Sequence, residues 1–236
     1  MSDVTEGGQL DVARVLRTAS IRMAFQPIVD LNSRAVIGLE ALARFPDETI
    51  VSPQPWFAAA AEQGLVNELE LLAAASAVDQ LTKLPDEAFV ALNVSSSTAA
   101  SAELREVIAA VAPRVVLEIK EGDETSGTYH FSEAIKGLRE LGVRVAVDDA
   151  GLGDVRLRQT LDIQPDIIKV DTTVTRGVDL DPVKQAIVTA FSSLAVLVGA
   201  TSLAEGIETE EEFQSLVTLG VAAGQGFLLG RPAYLD

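Results

Sequence analysis

Cysteine is absent from this 236-residue chain, and histidine occurs once, at His130. The first absence excludes disulfides, Cys-ligated zinc, iron–sulfur clusters and a thiol nucleophile. The second excludes poly-His zinc sites and leaves Ser-His catalysis dependent on one residue. His130 stands at the head of a helical pattern and reads as a surface group. Positive charge is scarce too: 18 Lys and Arg against 35 Asp and Glu give a formal net charge of −17. Nonspecific binding to DNA or RNA draws on clustered Lys and Arg, so no nucleic-acid partner is expected. An anionic substrate would be repelled unless something local reverses the sign, and bound divalent cations are the obvious device.

Long apolar runs are also missing. None approaches the roughly 20 residues of a membrane-spanning helix. The opening Met1–Gly8 is polar and acidic, without the basic and apolar regions of a signal peptide. A cytoplasmic location without membrane insertion is therefore expected. With 48% hydrophobic and 22% charged residues, the chain can bury a sizeable core. Residues 1–9 read as a loose tail and 10–236 as a single domain.

Short β-branched runs occur at Met23–Val29, Ala35–Leu39, Phe89–Leu92, Val115–Leu117, Val143–Val147, Ile167–Val170 and Ala200–Ala204, with a weak one at Gly226–Leu229. Amphipathic stretches lie among them, at Pro53–Glu62, Asn67–Leu81, Ala102–Val111, Phe131–Leu141, Pro182–Leu197 and Glu210–Leu219. The first two runs meet through a short polar turn at Asp30–Ser33, which predicts a hairpin. From the third run on the pattern is βαβα, which predicts a parallel sheet covered by helices. About eight strands in a chain of this length favour a (β/α)8-type barrel. The doubly wound alternative lacks its Gly-rich phosphate-binding turn after an early strand.

In such barrels the active site lies at the C-terminal ends of the strands. Those ends carry Glu40, Asn93, Glu118, Asp148-Asp149, Lys169 and Glu205, and the last weak strand starts beside Gln225. Any one of these is a common residue where a strand meets a turn. As a set, the carboxylates would repel one another and resist desolvation, and Lys169 alone cannot neutralise them. Hard divalent cations can. Oxygen ligands without His or Cys select Mg²⁺, Mn²⁺ or Ca²⁺ over zinc. Adjacent carboxylates such as Asp148-Asp149 let one residue bridge two ions, the recurring arrangement for phosphodiester hydrolysis.

The same residues carry a family resemblance. Glu40-Ala41-Leu42 in the context GLEALAR resembles the signature of the EAL domain, the bacterial phosphodiesterase of cyclic di-GMP. Phe25–Val29 is similar to the family's opening YQPIV, Asn93-Val94-Ser95 to its NxS, and Leu117-Glu118-Ile119 with Glu121 to its LExxE. Asp148-Asp149 resembles the start of DDFG, Ile168–Asp171 resembles IKxD, Ala204–Thr209 resembles AEGVET, and Gly224–Phe227 with Gly230–Pro232 resembles GQGY…GRP. A three-letter match alone means little; this many motifs in the family's order, from about residue 10 to 235, is specific.

The resemblance implies a modified (β/α)8 barrel with its first strand antiparallel, and hydrolysis of cyclic di-GMP to linear pGpG. It implies two Mg²⁺ or Mn²⁺ ions, with Ca²⁺ inhibitory as the larger, more loosely coordinated ion. Carried over position by position, Glu40, Asn93, Glu118 and Asp148 would hold one ion; Asp148 and Asp149 would hold the second, with Glu205. Lys169 would orient the attacking water, and Glu205 would accept a proton. Gln225 would line the rim, and Gln26 and Arg44 would contact the substrate. Glu121 would anchor the loop after Asp149, which in the family couples to a homodimer. That loop departs from the family in having Ala150 where Phe is usual, and Lys120, inside the LExxE match, stands where Thr or Ser is usual. The loop over Phe45–Val51 is short. These departures keep open a receptor or protein-docking barrel without turnover. An enolase-like proton abstraction has only Lys169 as its base, and the motif order does not suit it. Trp56-Phe57 reads as packing for the first helix, and Thr209 as a helix cap before Glu210–Glu212.

Overall fold

The computed structural model describes residues 10–46, 52–120, 129–148 and 164–235. Its centre is a closed barrel in the order β1 to β8. The strands are β1 (Arg22–Asp30), β2 (Val36–Arg44), β3 (Phe89–Val94), β4 (Val115–Lys120), β5 (Arg144–Asp148), β6 (Ile167–Val170), β7 (Thr201–Ala204) and β8 (Ala223–Gly224). β1 runs antiparallel to both its neighbours, and every other pairing is parallel. The hairpin and the barrel expected from the sequence are both present.

Two strands differ from expectation. β2 continues past Glu40 to Arg44, because β1 stays paired with it from Gln26↔Glu40 to Arg22↔Arg44. Glu40 therefore sits mid-strand. β8 lies three residues ahead of the expected Gly226–Leu229 run, so it ends beside Gln225 instead of starting there. A Cβ on Gly226 would meet the Ile207 carbonyl oxygen at 2.1 Å, so that residue belongs to a close backbone approach. Beyond it the chain returns to β1, where Phe25 N donates to Ala233 O at 2.7 Å. This return adds a backbone bridge to β1 beyond the two-residue β8, which itself closes the barrel at Val29↔Gly224 and Asp30↔Ala223.

The helices are α1 (Val12–Thr18), α2 (Gln54–Gln63), α3 (Val66–Val78), α4 (Ser96–Ala99), α5 (Ala102–Ile108), α6 (Tyr129–Glu140), α7 (Thr172–Thr175), α8 (Pro182–Val198) and α9 (Glu210–Thr218). The sequence reading has no counterpart for α1, α4 or α7, which are too short to show a periodic apolar stripe. The long helices begin and end where local chemistry dictates. Asp181 caps α8, with Pro182 in its first turn and Gly199 left-handed at its end. Thr209 and Glu212 form a reciprocal capping box on α9.

Ile28, Phe89, Val116, Ala146, Ile167 and Leu203 share one buried cluster. Phe89 fits because Gly38 has no Cβ, which would lie 2.5 Å from its ring. Larger clusters fill the space between barrel and helices. Trp56 is fully buried against Val12, Val15 and Leu69 and stacks on Phe45 at 4.9 Å, which is the packing role expected of it. Among the described residues no helix is long and apolar enough to cross a membrane.

Candidate active site

The strands deliver their polar residues to one rim. Asn93, Glu118 and Lys169 lie near the C-terminal ends of their strands, Glu40 lies in the middle of β2, and Glu205 directly follows β7. Pairing sets Asn93 level with Glu118, and Gln26 level with Glu40. Glu40 is a hub: Asn93 Nδ2 donates to its Oε1 at 2.8 Å, and Gln225 Nε2 to its Oε2 at 2.7 Å. Lys169 Nζ lies 2.7 Å from Glu118 Oε2 and 2.6 Å from Glu205 Oε1. Lys169 is 2% exposed and Glu118 1%, so these charges meet out of water.

Burial pushes the Glu118 carboxyl up to about 8; the Lys169 ammonium pulls it back, and the Glu40 carboxylate adds to the rise. The native state then holds a proton that the unfolded chain releases near 4.5, so metal-free stability should fall as pH rises from about 4.5 to about 8. Glu118→Gln keeps an acceptor for Lys169 without the titrating group. We expect its metal-free melting temperature to exceed the parent's at pH 8, with the gap closing towards pH 5. A constant gap across that range in thermal scans with chelator would show that Glu118 does not titrate there.

The donor set suits a hard cation. Carboxylates of Glu40, Glu118 and Glu205 and amide oxygens of Asn93 and Gln225 offer oxygen only. Gln225 Oε1 is buried without a hydrogen-bond partner in the structure, an arrangement that costs about 1–3 kcal/mol unless something occupies that acceptor. Among the described residues no three acids are already gathered into a shell. Lys169 stands between Glu118 and Glu205.

A cavity of about 600 Å³ opens above this cluster, lined by Glu40, Asn93, Lys169 and Glu205 on one side and by Met23 and Phe57 on another. Gln26 and Arg44 are not among its lining residues. Gln26 is buried and donates to Gly230 O at 3.2 Å; the Arg44 guanidinium donates to Ala43 O at 2.9 Å. Asp148 ends β5 level with Lys120. The Asp148 side chain, and all of Asp149, Glu121 and Ala150, lie outside the described residues.

One site residue escaped the sequence reading. Glu70 on α3 is buried, lines the same cavity, and accepts from Ser95. Its signal was its spacing: it shares the inward face of Ala73, Ala74 and Ala77, where an apolar residue is expected.

A sequence profile described as the EAL domain matches residues 9–232. The chain belongs to the EAL domain family. Among curated relatives, the probable cyclic di-GMP phosphodiesterase PdeI of Escherichia coli is 30% identical over 94% of this chain and 30% of its own length. The blue light- and temperature-regulated antirepressor BluF of the same organism is 28% identical over 94% of this chain and 57% of its own length. The chain thus spans less than two thirds of either relative. Among solved EAL structures, a manganese/cyclic di-GMP complex of Klebsiella pneumoniae BlrP1 superposes with a TM-score of 0.80 at 31% identity, over 91% of this chain and 56% of that one. Complexes of BlrP1 with cyclic di-GMP hold calcium or manganese. This EAL barrel is therefore similar to proteins whose structures combine a divalent metal with cyclic di-GMP.

Proposed function

We propose that this EAL domain hydrolyses cyclic di-GMP to linear pGpG with two Mg²⁺ or Mn²⁺ ions. The observation that carries the reading is the meeting of Glu40, Asn93, Glu118, Lys169, Glu205 and Gln225 on one barrel rim beside a cavity. Glu40, Asn93, Glu118 and Asp148 would hold one ion; Asp148, Asp149 and Glu205 would hold the other. Such ions supply neutralisation of the clustered carboxylates and stabilise the attacking and departing oxygens at phosphorus. Gln225 holds one oxygen of Glu40, so that carboxylate keeps its orientation. Lys169 Nζ orients the attacking water in line with the departing 3′ oxygen, and Glu205 accepts its proton. Gln26 and Arg44, which stand outside the cavity lining, would have to turn from their backbone partners to hold the ligand, the Arg fork suiting a phosphate. With net charge −17 the chain depends on these local cations to admit a dianionic dinucleotide.

A second reading has a specific observation in its favour: BluF is named an antirepressor, and this chain departs from the family at Ala150, after Asp149, and at Lys120, beside Glu121. In that reading the barrel is a cyclic di-GMP receptor or docking module. Incubation with cyclic di-GMP and with a panel of carboxylate substrates, followed by chromatography, separates the possibilities. We expect pGpG and no change in the carboxylates; a changed carboxylate with intact cyclic di-GMP would favour proton abstraction instead.

The reading includes the metal. Hydrolysis should stop after exhaustive chelation, return with Mg²⁺ or Mn²⁺, and not return with Ca²⁺, whose looser coordination disturbs a two-ion geometry. It also includes a homodimer that orders the loop after Asp149. With Ala150 in place of an aromatic, that dimer should be loose, and specific activity should rise with protein concentration. Sedimentation and activity over one dilution series check this; unchanged specific activity through a clear dimer-to-monomer transition removes the coupling.

A further inference from the structure

We propose that Glu70 and Asn67, both on α3, are positioning residues that fix the Asn93 amide for cation binding by clamping the turn after β3. The inference rests on the metal reading above. Ser95 donates twice to Glu70 Oε2, from its backbone N at 2.9 Å and from its Oγ at 2.7 Å. Ser97 Oγ and Thr98 Oγ1 donate to Asn67 Oδ1 at 2.8 and 3.1 Å. Ser95 is also the N-cap of α4, its Oγ accepting from Thr98 N at 3.3 Å. A helix from another layer of the fold therefore grips the segment that begins two residues after Asn93.

The grip matters because of what Asn93 must do. Its Nδ2 is committed to Glu40, which leaves Oδ1 as the atom offered to a cation. Asn93 is half-buried at the end of a strand, where the backbone is about to turn. Without an outside anchor the last strand residues can twist, and the amide turns with them. Glu70 is a carboxylate with 9% exposure, an expensive group to place on an alanine-lined face for packing alone. Among the described residues Ser95 donates to it twice, and it lines the same cavity as Asn93 and Glu40. Partners that orient metal ligands typically contribute 10–100-fold to metal affinity.

The test compares Glu70→Ala, Glu70→Gln and Ser95→Ala in the full chain. Mn²⁺ binding is measured directly by calorimetry, alongside near-UV circular dichroism and turnover over a Mn²⁺ titration. Gln at position 70 keeps an oxygen able to accept both Ser95 bonds, so it should bind Mn²⁺ within about twofold of the parent. Glu70→Ala should weaken Mn²⁺ binding about tenfold or more, with kcat largely recovered at saturating Mn²⁺. Ser95→Ala should shift affinity in the same direction by less, and it stands in if Glu70→Ala fails to fold. Parent-like Mn²⁺ affinity in folded Glu70→Ala, or in Ser95→Ala where Glu70→Ala does not fold, overturns the proposal, and a raised KM for cyclic di-GMP at unchanged Mn²⁺ affinity would make Glu70 a ligand contact instead. If the parent itself binds no Mn²⁺, the metal reading beneath the proposal fails with it.

Discussion

Lys169→Ala should bind cyclic di-GMP nearly as well as the parent and hydrolyse it at least about a hundredfold more slowly. That factor, about 2.7 kcal/mol of barrier, is the scale lost when a positioned catalytic group is removed. The reasoning is geometric. Lys169 is buried between Glu118 and Glu205, whereas Gln26 and Arg44 are the residues assigned to the ligand. In the proposed mechanism the Lys169 ammonium acts on the attacking water, so its removal should cost turnover before binding. Lys169→Met preserves more of the buried volume and should share the defect, which separates loss of the ammonium from loss of packing. Arg44→Ala should do the reverse and weaken binding first. Calorimetric titration in Ca²⁺ and product formation in Mn²⁺ give the two readouts. Equal losses of binding and turnover in Lys169→Met would remove the assigned role.

Glu40→Ala, Asn93→Ala and Asp148→Ala should each abolish hydrolysis while leaving the fold intact. Glu40 gathers Asn93 and Gln225 through both its oxygens, so its loss orphans two amides as well as a ligand. The metal-free protein nevertheless loses one member of a repelling acidic cluster, which offsets part of the damage. Far-UV circular dichroism should match the parent's, and the metal-free melting temperature of Asp148→Ala should not fall below it. Substantial activity in Asp148→Ala would show that Asp148 does not bridge the two ions.

Most of the barrel was legible because its signals are local and periodic. The Met23–Val29 and Val143–Val147 runs needed only short apolar stretches between turns, and Thr209 announced its helix by capping chemistry. Strand limits were less legible. Glu40 reads as a strand end until the β1 pairing that carries β2 on to Arg44 is seen, and Gly226 reads as strand until its contact with Ile207 is known. The rim residues were readable because the barrel rule names the place and the motifs name the members. Two features were not. Lys169 stands between Glu118 and Glu205 through side-chain reach, which no spacing encodes. Glu70 meets Ser95 across 25 residues and between layers, so only packing could bring them together.

The most direct single measurement is the fate of cyclic di-GMP incubated with the purified parent chain in Mn²⁺, followed by chromatography with and without excess chelator. The account predicts linear pGpG accumulating with time in Mn²⁺ and intact cyclic di-GMP under chelation. Cyclic di-GMP bound by the protein in Mn²⁺ yet still uncleaved after hours would contradict it and make this barrel a receptor.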